Sequence, residues 1–144
     1  MSLREIIFFD FDTVVLDYDY GLNQLASFEK QFYINEYHID VVSISKPKLG
    51  IIEVIEKLRP RYEIRFLVKK YGYYFQFMKK FFPDIQIDLI PRYYPDRKLY
   101  LIDTNIIETF IGTLFYIGNK YCKSTEKIHV IYINNITDIL DYLT

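Results

Sequence analysis

Apolar residues fall into short runs separated by stretches with helical spacing. Ile6-Ile7-Phe8-Phe9 is an unbroken apolar run, the pattern of a strand buried on both faces of a sheet. Tyr62 to Val68, Ile85 to Ile90, Leu99 to Ile102 and Ile128 to Ile133 read as further strands, the second alternating cleanly at Ile85, Ile87 and Leu89. Between them, Leu22 to Tyr33, Ile51 to Leu58, Tyr73 to Phe81, Ile106 to Ile117 and Thr137 to Leu143 carry helical spacing. His38 to Ile44 reads as a short strand or extended flap. Pro47 and Gly50 punctuate the chain, and Pro60 and Pro83 end helices. This order predicts one α/β domain over residues 1–144. Its core is a doubly wound, Rossmann-like sheet of about five mainly parallel strands with helices on both faces. The connections Val15 to Ser45 and Lys69 to Asp84 are too short for a full cap domain, so the crevice above the sheet is expected to be open.

Composition narrows the class. Over 144 residues, 51% are hydrophobic and the net charge is −1, which excludes a disordered chain. No apolar run approaches the roughly 18 residues of a membrane span. The polar start, Met1 to Glu5, is not a signal peptide. One cysteine, Cys122, excludes an internal disulfide framework. Together these point to a cytoplasmic protein with no membrane partner. The near-zero net charge argues against nucleic acid as a partner. The 15 tyrosines and 12 phenylalanines are read as core material and as a source of a self-associating, homo-oligomeric surface. The bias toward Ile, Tyr, Lys and Asn marks an AT-rich genome, viral ones included. His38, His129 and Cys122 show no zinc-ligand spacing.

Charge is uneven along the chain. Residues 1–45 hold 2 basic and 8 acidic side chains, whereas residues 46–98 hold 13 basic and 6 acidic. In parallel α/β sheets, chemistry gathers at the carboxyl ends of strands. Two of those ends are acidic. The first strand runs into Asp10-Phe11-Asp12-Thr13-Val14, and the fourth into Asp103-Thr104-Asn105. Carboxylates brought together repel unless a cation or a shared proton compensates. Oxygen ligands of this kind suit Mg²⁺. The bland readings are a helix cap for Asp103 and a solvated turn for Asp17 and Asp19.

Ile6 to Val14 (IIFFDFDTV) resembles the first motif of the haloacid dehalogenase-like phosphatase superfamily, a hydrophobic strand followed by D-x-D-x-[TV]. The later spacing is most similar to its small C-terminal-domain phosphatase branch, the NLI-interacting-factor-like family. Lys46-Pro47-Lys48-Leu49 resembles that family's K-x-P-G-like turn, Tyr62 to Val68 its "yEvvvfT" strand, and Leu101 to Thr104 its "vD(N/D)" strand. The resemblance implies a Mg²⁺-dependent phosphomonoesterase acting on a phosphorylated protein. In it Asp10 is the nucleophile, Asp12 the general acid and base, and Asp10, Asp12 and Asp103 hold the metal. It also implies a phosphate-contacting lysine before the fourth strand, here Lys98, with Arg97 as its neighbour. Thr13, Lys69 and Lys70 complete the expected substrate-binding set. Two positions depart from the pattern. Val68 stands where the family has a hydroxyl donor, a loss of about 2.7–4 kcal/mol in a preorganised site. Thr104 replaces an acidic residue.

Two alternatives stand beside this reading. One is a catalytically impaired interaction or regulatory module of the same fold, viral proteins among them, which Val68 and Thr104 favour. The other is a nucleotide 5′-phosphatase, with Tyr71, Tyr73 and Tyr74 stacking on a base. A phosphoacceptor receiver domain needs an acidic residue after its third strand, where this chain has Pro91.

Overall fold

A computed structural model describes residues 3–25, 38–69, 74–118 and 123–144. Its strands are β1 (Glu5–Asp10), β2 (Leu16–Asp17), β3 (Lys46–Pro47), β4 (Tyr62–Leu67), β5 (Gln86–Asp88), β6 (Leu99–Asp103), β7 (Gly112–Ile117) and β8 (Ile128–Ile133). The helices among the described residues are α1 (Tyr18–Asn23), α2 (His38–Ile44), α3 (Ile51–Leu58), α4 (Phe75–Phe81) and α5 (Leu140–Leu143). A 3₁₀ turn, Ile136–Ile139, leads into α5, and a single π-helical turn, Phe11–Val15, follows β1.

Six strands form one sheet in the order β5-β4-β1-β6-β7-β8, every neighbouring pair parallel. The chain builds outward from β1 through β4 to β5, then returns to the other side of β1 and builds outward through β6, β7 and β8. The reversal lies between β1 and β6, and that is where a ligand crevice opens above the carboxyl ends of such a sheet. This is the expected α/β, Rossmann-like arrangement, with six strands where about five were expected and, among the described residues, helices packed on one face and not on both.

Alternation along β1 sends Ile6 and Phe8 to one face and Ile7 and Phe9 to the other, all four fully buried. Ile7 and Phe9 pack with α3, α4 and α5 through Val54, Ile55, Phe77 and Leu143. In α3, Ile51, Val54, Ile55 and Leu58 make the buried stripe, each contributing roughly 1.5–3 kcal/mol through burial. The opposite face is covered by Tyr94, Ile107 and Phe110, from the segments 89–98 and 104–111. Among the described residues no helix is long and apolar enough to cross a membrane.

Two segments differ from their patterns. The helix expected over Ile106 to Ile117 is instead an irregular segment followed by strand β7. Leu114, Phe115 and Tyr116 are consecutive and all buried, which requires apolar cover on both faces of a strand. A Cβ on Gly112 would lie 2.3 Å from the Leu99 carbonyl oxygen, so only glycine lets β7 start this close to β6. The helical spacing of Ile106, Ile107 and Phe110 reflects a loop folding over the sheet. The second difference is His38 to Ile44, expected as a short strand or extended flap and found as α2. Val41, Val42 and Ser45 are buried while Ile44 is exposed, a helical stripe and not an alternation. The Ser45 hydroxyl donates to the Val41 carbonyl at 2.6 Å. A Cβ on Gly21 would collide with that hydroxyl, so glycine allows α1 to touch α2.

Of the helix expected over Leu22 to Tyr33, only Leu22 and Asn23 are helical among the described residues, as the end of α1, which starts at Tyr18, where Asp17 caps it by accepting from the Tyr20 N–H at 3.1 Å. Residues 26–33 of that expectation lie outside the described residues. β2 and β3 pair antiparallel, Leu16 with Pro47 and Asp17 with Lys46, and tie off the connection at its base.

Candidate active site at the switch point

The site begins with the way β1 ends. Asp10 is the last strand residue and caps the π-helical turn. Its Oδ2 accepts the Thr13 backbone N–H at 3.1 Å and the Thr13 hydroxyl at 2.6 Å. Both bonds fall on Oδ2. Among the described residues nothing donates to Oδ1 of this half-buried carboxylate. π-helical turns concentrate at functional positions because the extra residue redirects side chains. Here the turn points Asp10 and Thr13 toward β6 and buries Phe11 against Tyr74 and Phe77, at ring distances of 4.6 Å and 5.0 Å.

β1 and β6 run in register, Phe9 beside Ile102, so the next residues, Asp10 and Asp103, stand side by side. Thr13 Oγ1 also lies 3.5 Å from Asp103 Oδ1, and this one hydroxyl bridges the two carboxylates. Asp103 Oδ1 accepts the backbone N–H groups of Thr104 at 2.6 Å and Asn105 at 3.1 Å. Asp103 is only 3% exposed. Burial, and then the charge of Asp10, push its carboxyl from 3.8 up to about 7. None of the ion pairs among the described residues includes Asp10 or Asp103.

Asp12, two residues on, is engaged by the start of α4. The Tyr74 hydroxyl donates to it, 3.1 Å from both Oδ1 and Oδ2. Among the described residues no group of three or more His, Cys, Asp or Glu side chains is arranged to hold a metal ion. The protein therefore offers two converging carboxylates, not a closed cage. That donor set fits Mg²⁺, which keeps waters and takes one or two carboxylates together with substrate phosphate oxygens. One member of the pair, Asp103, is almost fully buried.

The basic candidates separate by topology. The Lys98 carbonyl accepts the Ile6 N–H at 3.0 Å, so Lys98 lies at the amino edge of the sheet, the full length of β1 from Asp10. Arg97 is held at the same edge, donating to the Arg4 carbonyl at 2.6 Å and to Glu63 at 3.1 Å. Neither is brought to the carboxylates, because a residue that precedes a parallel strand stands at the wrong end of it. Lys69 follows β4 at the carboxyl edge and is exposed; Lys70 lies outside the described residues. Thr13 sits between the two carboxylates. Val68 is buried in the main core and brings no donor. Tyr74 is 1% exposed, so it has no face free to stack on a base; Tyr71 and Tyr73 lie outside the described residues.

Lys48 is the cation that sequence reasoning missed. The β2–β3 ribbon carries it over the π-helical turn, where its N–H donates to the Val15 carbonyl at 2.8 Å. Its Nζ donates to the Thr13 carbonyl at 2.6 Å. Its signal lies in the Lys46-Pro47-Lys48-Leu49 turn, but its reach to Thr13 depends on the pairing of β2 with β3. No protein-family model matches this chain and no curated protein is a significant match to it, so the functional reading stands on the fold and the geometry of this site.

Proposed function

We propose that this protein is a Mg²⁺-dependent phosphomonoesterase of the haloacid dehalogenase-like kind, acting through an aspartyl-phosphate on Asp10. The observation that carries the reading is the meeting of Asp10 and Asp103 on Thr13 at the switch point, with Asp10 Oδ1 left without a donor among the described residues. Asp10 and Asp103, with the Asp12 backbone carbonyl, would hold the ion. Bound there, Mg²⁺ offsets the charge that gathers on the transferring phosphoryl group.

Asp10 Oδ1 attacks phosphorus and forms the new P–O bond. The bond to the leaving oxygen breaks, and that oxygen takes the proton of the Asp12 carboxyl group. A water then attacks the same phosphorus and gives its proton back to Asp12. Asp10 departs as a carboxylate and inorganic phosphate is released. Thr13, by holding Oδ2, orients the nucleophile. Lys48 supplies the positive charge beside the turn, the role that the family resemblance gives to Lys98.

The short connections leave the crevice without a full cap, which supports a phosphate carried on a protein as the substrate. Turnover of an aryl phosphate and of phosphopeptides with Mg²⁺, abolished in Asp10→Asn, is the expected result. A wild-type protein as inert as Asp10→Asn with every substrate and divalent ion overturns it. A second reading, a non-catalytic interaction module, is favoured by Val68 at the donor position. Calorimetry separates the two, since such a module has no need to bind Mg²⁺.

A further inference from the structure

The β3–α3 connection borders an open groove. One wall runs from Pro47 into the first turn of α3, and the other is the turn after β8, Asn135 to Thr137. Its volume is about 750 Å³, within the roughly 300–1,000 Å³ of ligand sites. The buried stripe of α3 is Ile51, Val54, Ile55 and Leu58, so Ile52 falls off it and is exposed. Leu49, just before the helix, is 97% exposed. Exposed apolar residues are ordinarily scattered singly, but these two line one concavity. Gly50 lies between them in the chain, with φ +87°, and a Cβ there would come within 3.3 Å of the Thr137 methyl group. Glycine thus keeps the space between the walls clear. Lys48 belongs both to this groove and to the candidate site. It lines the groove, and its Nζ donates to the carbonyl of Thr13, whose hydroxyl bridges Asp10 and Asp103.

We propose that this groove receives an apolar side chain of a phosphorylated protein substrate, close in sequence to the phosphorylated residue, and that Leu49 and Ile52 set the preference. This rests on the phosphatase reading above. The shared lysine makes the groove continuous with the site, so a peptide whose phosphate meets Asp10 runs on into it. The chemistry along the wall matches such a peptide in order. The cation Lys48 comes first, beside the turn that holds the nucleophile, and the apolar Leu49 and Ile52 follow. An extended peptide advances about 3.3 Å per residue, so a side chain within about four positions of the phosphate falls in reach. A small phosphate ester has nothing to place there.

The test measures kcat/KM for alanine-based phosphoserine peptides in which one leucine is moved through the positions on either side of the phosphoserine, beside a simple aryl phosphate. Leucine at one position should raise kcat/KM by roughly 10–100-fold over the all-alanine peptide, the effect of burying one such side chain. The double variant Leu49→Ser, Ile52→Ser should bring that preference below about threefold and leave the aryl phosphate unchanged. Both side chains are exposed, so the melting temperature should hold, and Leu49→Ser alone should already weaken the preference. A wild-type protein indifferent to the leucine at every position, or a double variant that keeps the preference or loses the aryl phosphate equally, overturns the inference and leaves the phosphatase reading in place. So does sedimentation showing self-association that the double variant abolishes without any peptide preference, which assigns the groove to a second copy of the chain. No turnover of the aryl phosphate or of any peptide by the wild-type protein overturns both.

Discussion

Replacing Asp103 with asparagine should make the metal-free protein more stable at alkaline pH. Asp103 is 3% exposed beside Asp10, and its carboxyl group is pushed from 3.8 to about 7, first by burial and then by the neighbouring charge. A shift of about three units at 1.36 kcal/mol each is a penalty of about 4 kcal/mol on the ionised native state. The native protein binds the extra proton between about pH 4 and pH 7, so the contribution of Asp103 to stability is largest below pH 4 and is lost as pH rises through that window. The Asp103→Asn substitution removes the charge and keeps an oxygen for the Thr104 and Asn105 N–H groups. The introduced amide NH₂ must find an acceptor near Thr13, which returns about 1–2 kcal/mol. The net gain is about 2 kcal/mol at pH 8, or roughly 5–8 °C in Tm, and it reverses to a deficit of about 1–2 kcal/mol near pH 4, where the native carboxyl group is already protonated and only the amide cost remains. Urea and thermal unfolding across pH 4–8 in chelator measure it. Adding Mg²⁺ should stabilise the wild type by mass action and leave Asp103→Asn unmoved. A variant less stable than wild type by the same amount at every pH, and equally responsive to Mg²⁺, refutes the reasoning.

Asp10→Asn should lower phosphatase turnover by roughly 10³-fold or more while leaving the melting temperature within a few degrees, as steady-state kinetics and calorimetry would show. Lys48→Ala should raise KM for a phosphate ester about tenfold, equivalent to about 1.4 kcal/mol of lost binding. Lys98→Ala, at the far edge of the sheet, should leave both constants unchanged in the same assay. Gly112→Ala should cost more than the roughly 1–3 kcal/mol of ordinary overpacking, because the added carbon meets backbone and not a movable side chain; urea midpoints at constant slope would record it.

The parts of the fold written in local pattern were legible. The unbroken apolar run of β1 predicts a doubly covered strand, and the acids after β1 and β6 predict where the two carboxylates meet. What escaped depends on partners distant in the chain. β7 carries the same kind of unbroken apolar run as β1, but the helical spacing of Ile106 to Ile111 before it draws the boundary to the wrong place. Only the contact of Gly112 with Leu99 shows why a glycine opens that strand. α2 is rich in β-branched residues, and its helical stripe becomes visible only once Ser45 and Gly21 are seen packed together.

The site follows the same rule. Lys98 is singled out by the family resemblance as the lysine before the fourth strand, yet a parallel strand carries its preceding residue to the opposite edge. Lys48 reaches the turn because Leu16 and Asp17 pair with Pro47 and Lys46, a pairing that no local pattern announces. Tyr74 belongs to an aromatic stripe, and its ring is indeed core; its hydroxyl, at the start of α4, reaches Asp12.

The most direct measurement is a crystal structure of the protein soaked with Mg²⁺ and beryllium fluoride, which adds to a nucleophilic carboxylate as a phosphoryl mimic. Trifluoroberyllate bonded to Asp10, with one divalent ion shared between it and Asp103, is the predicted result. Clear density for the same side chains with neither group bound, at saturating concentrations of both, contradicts the account.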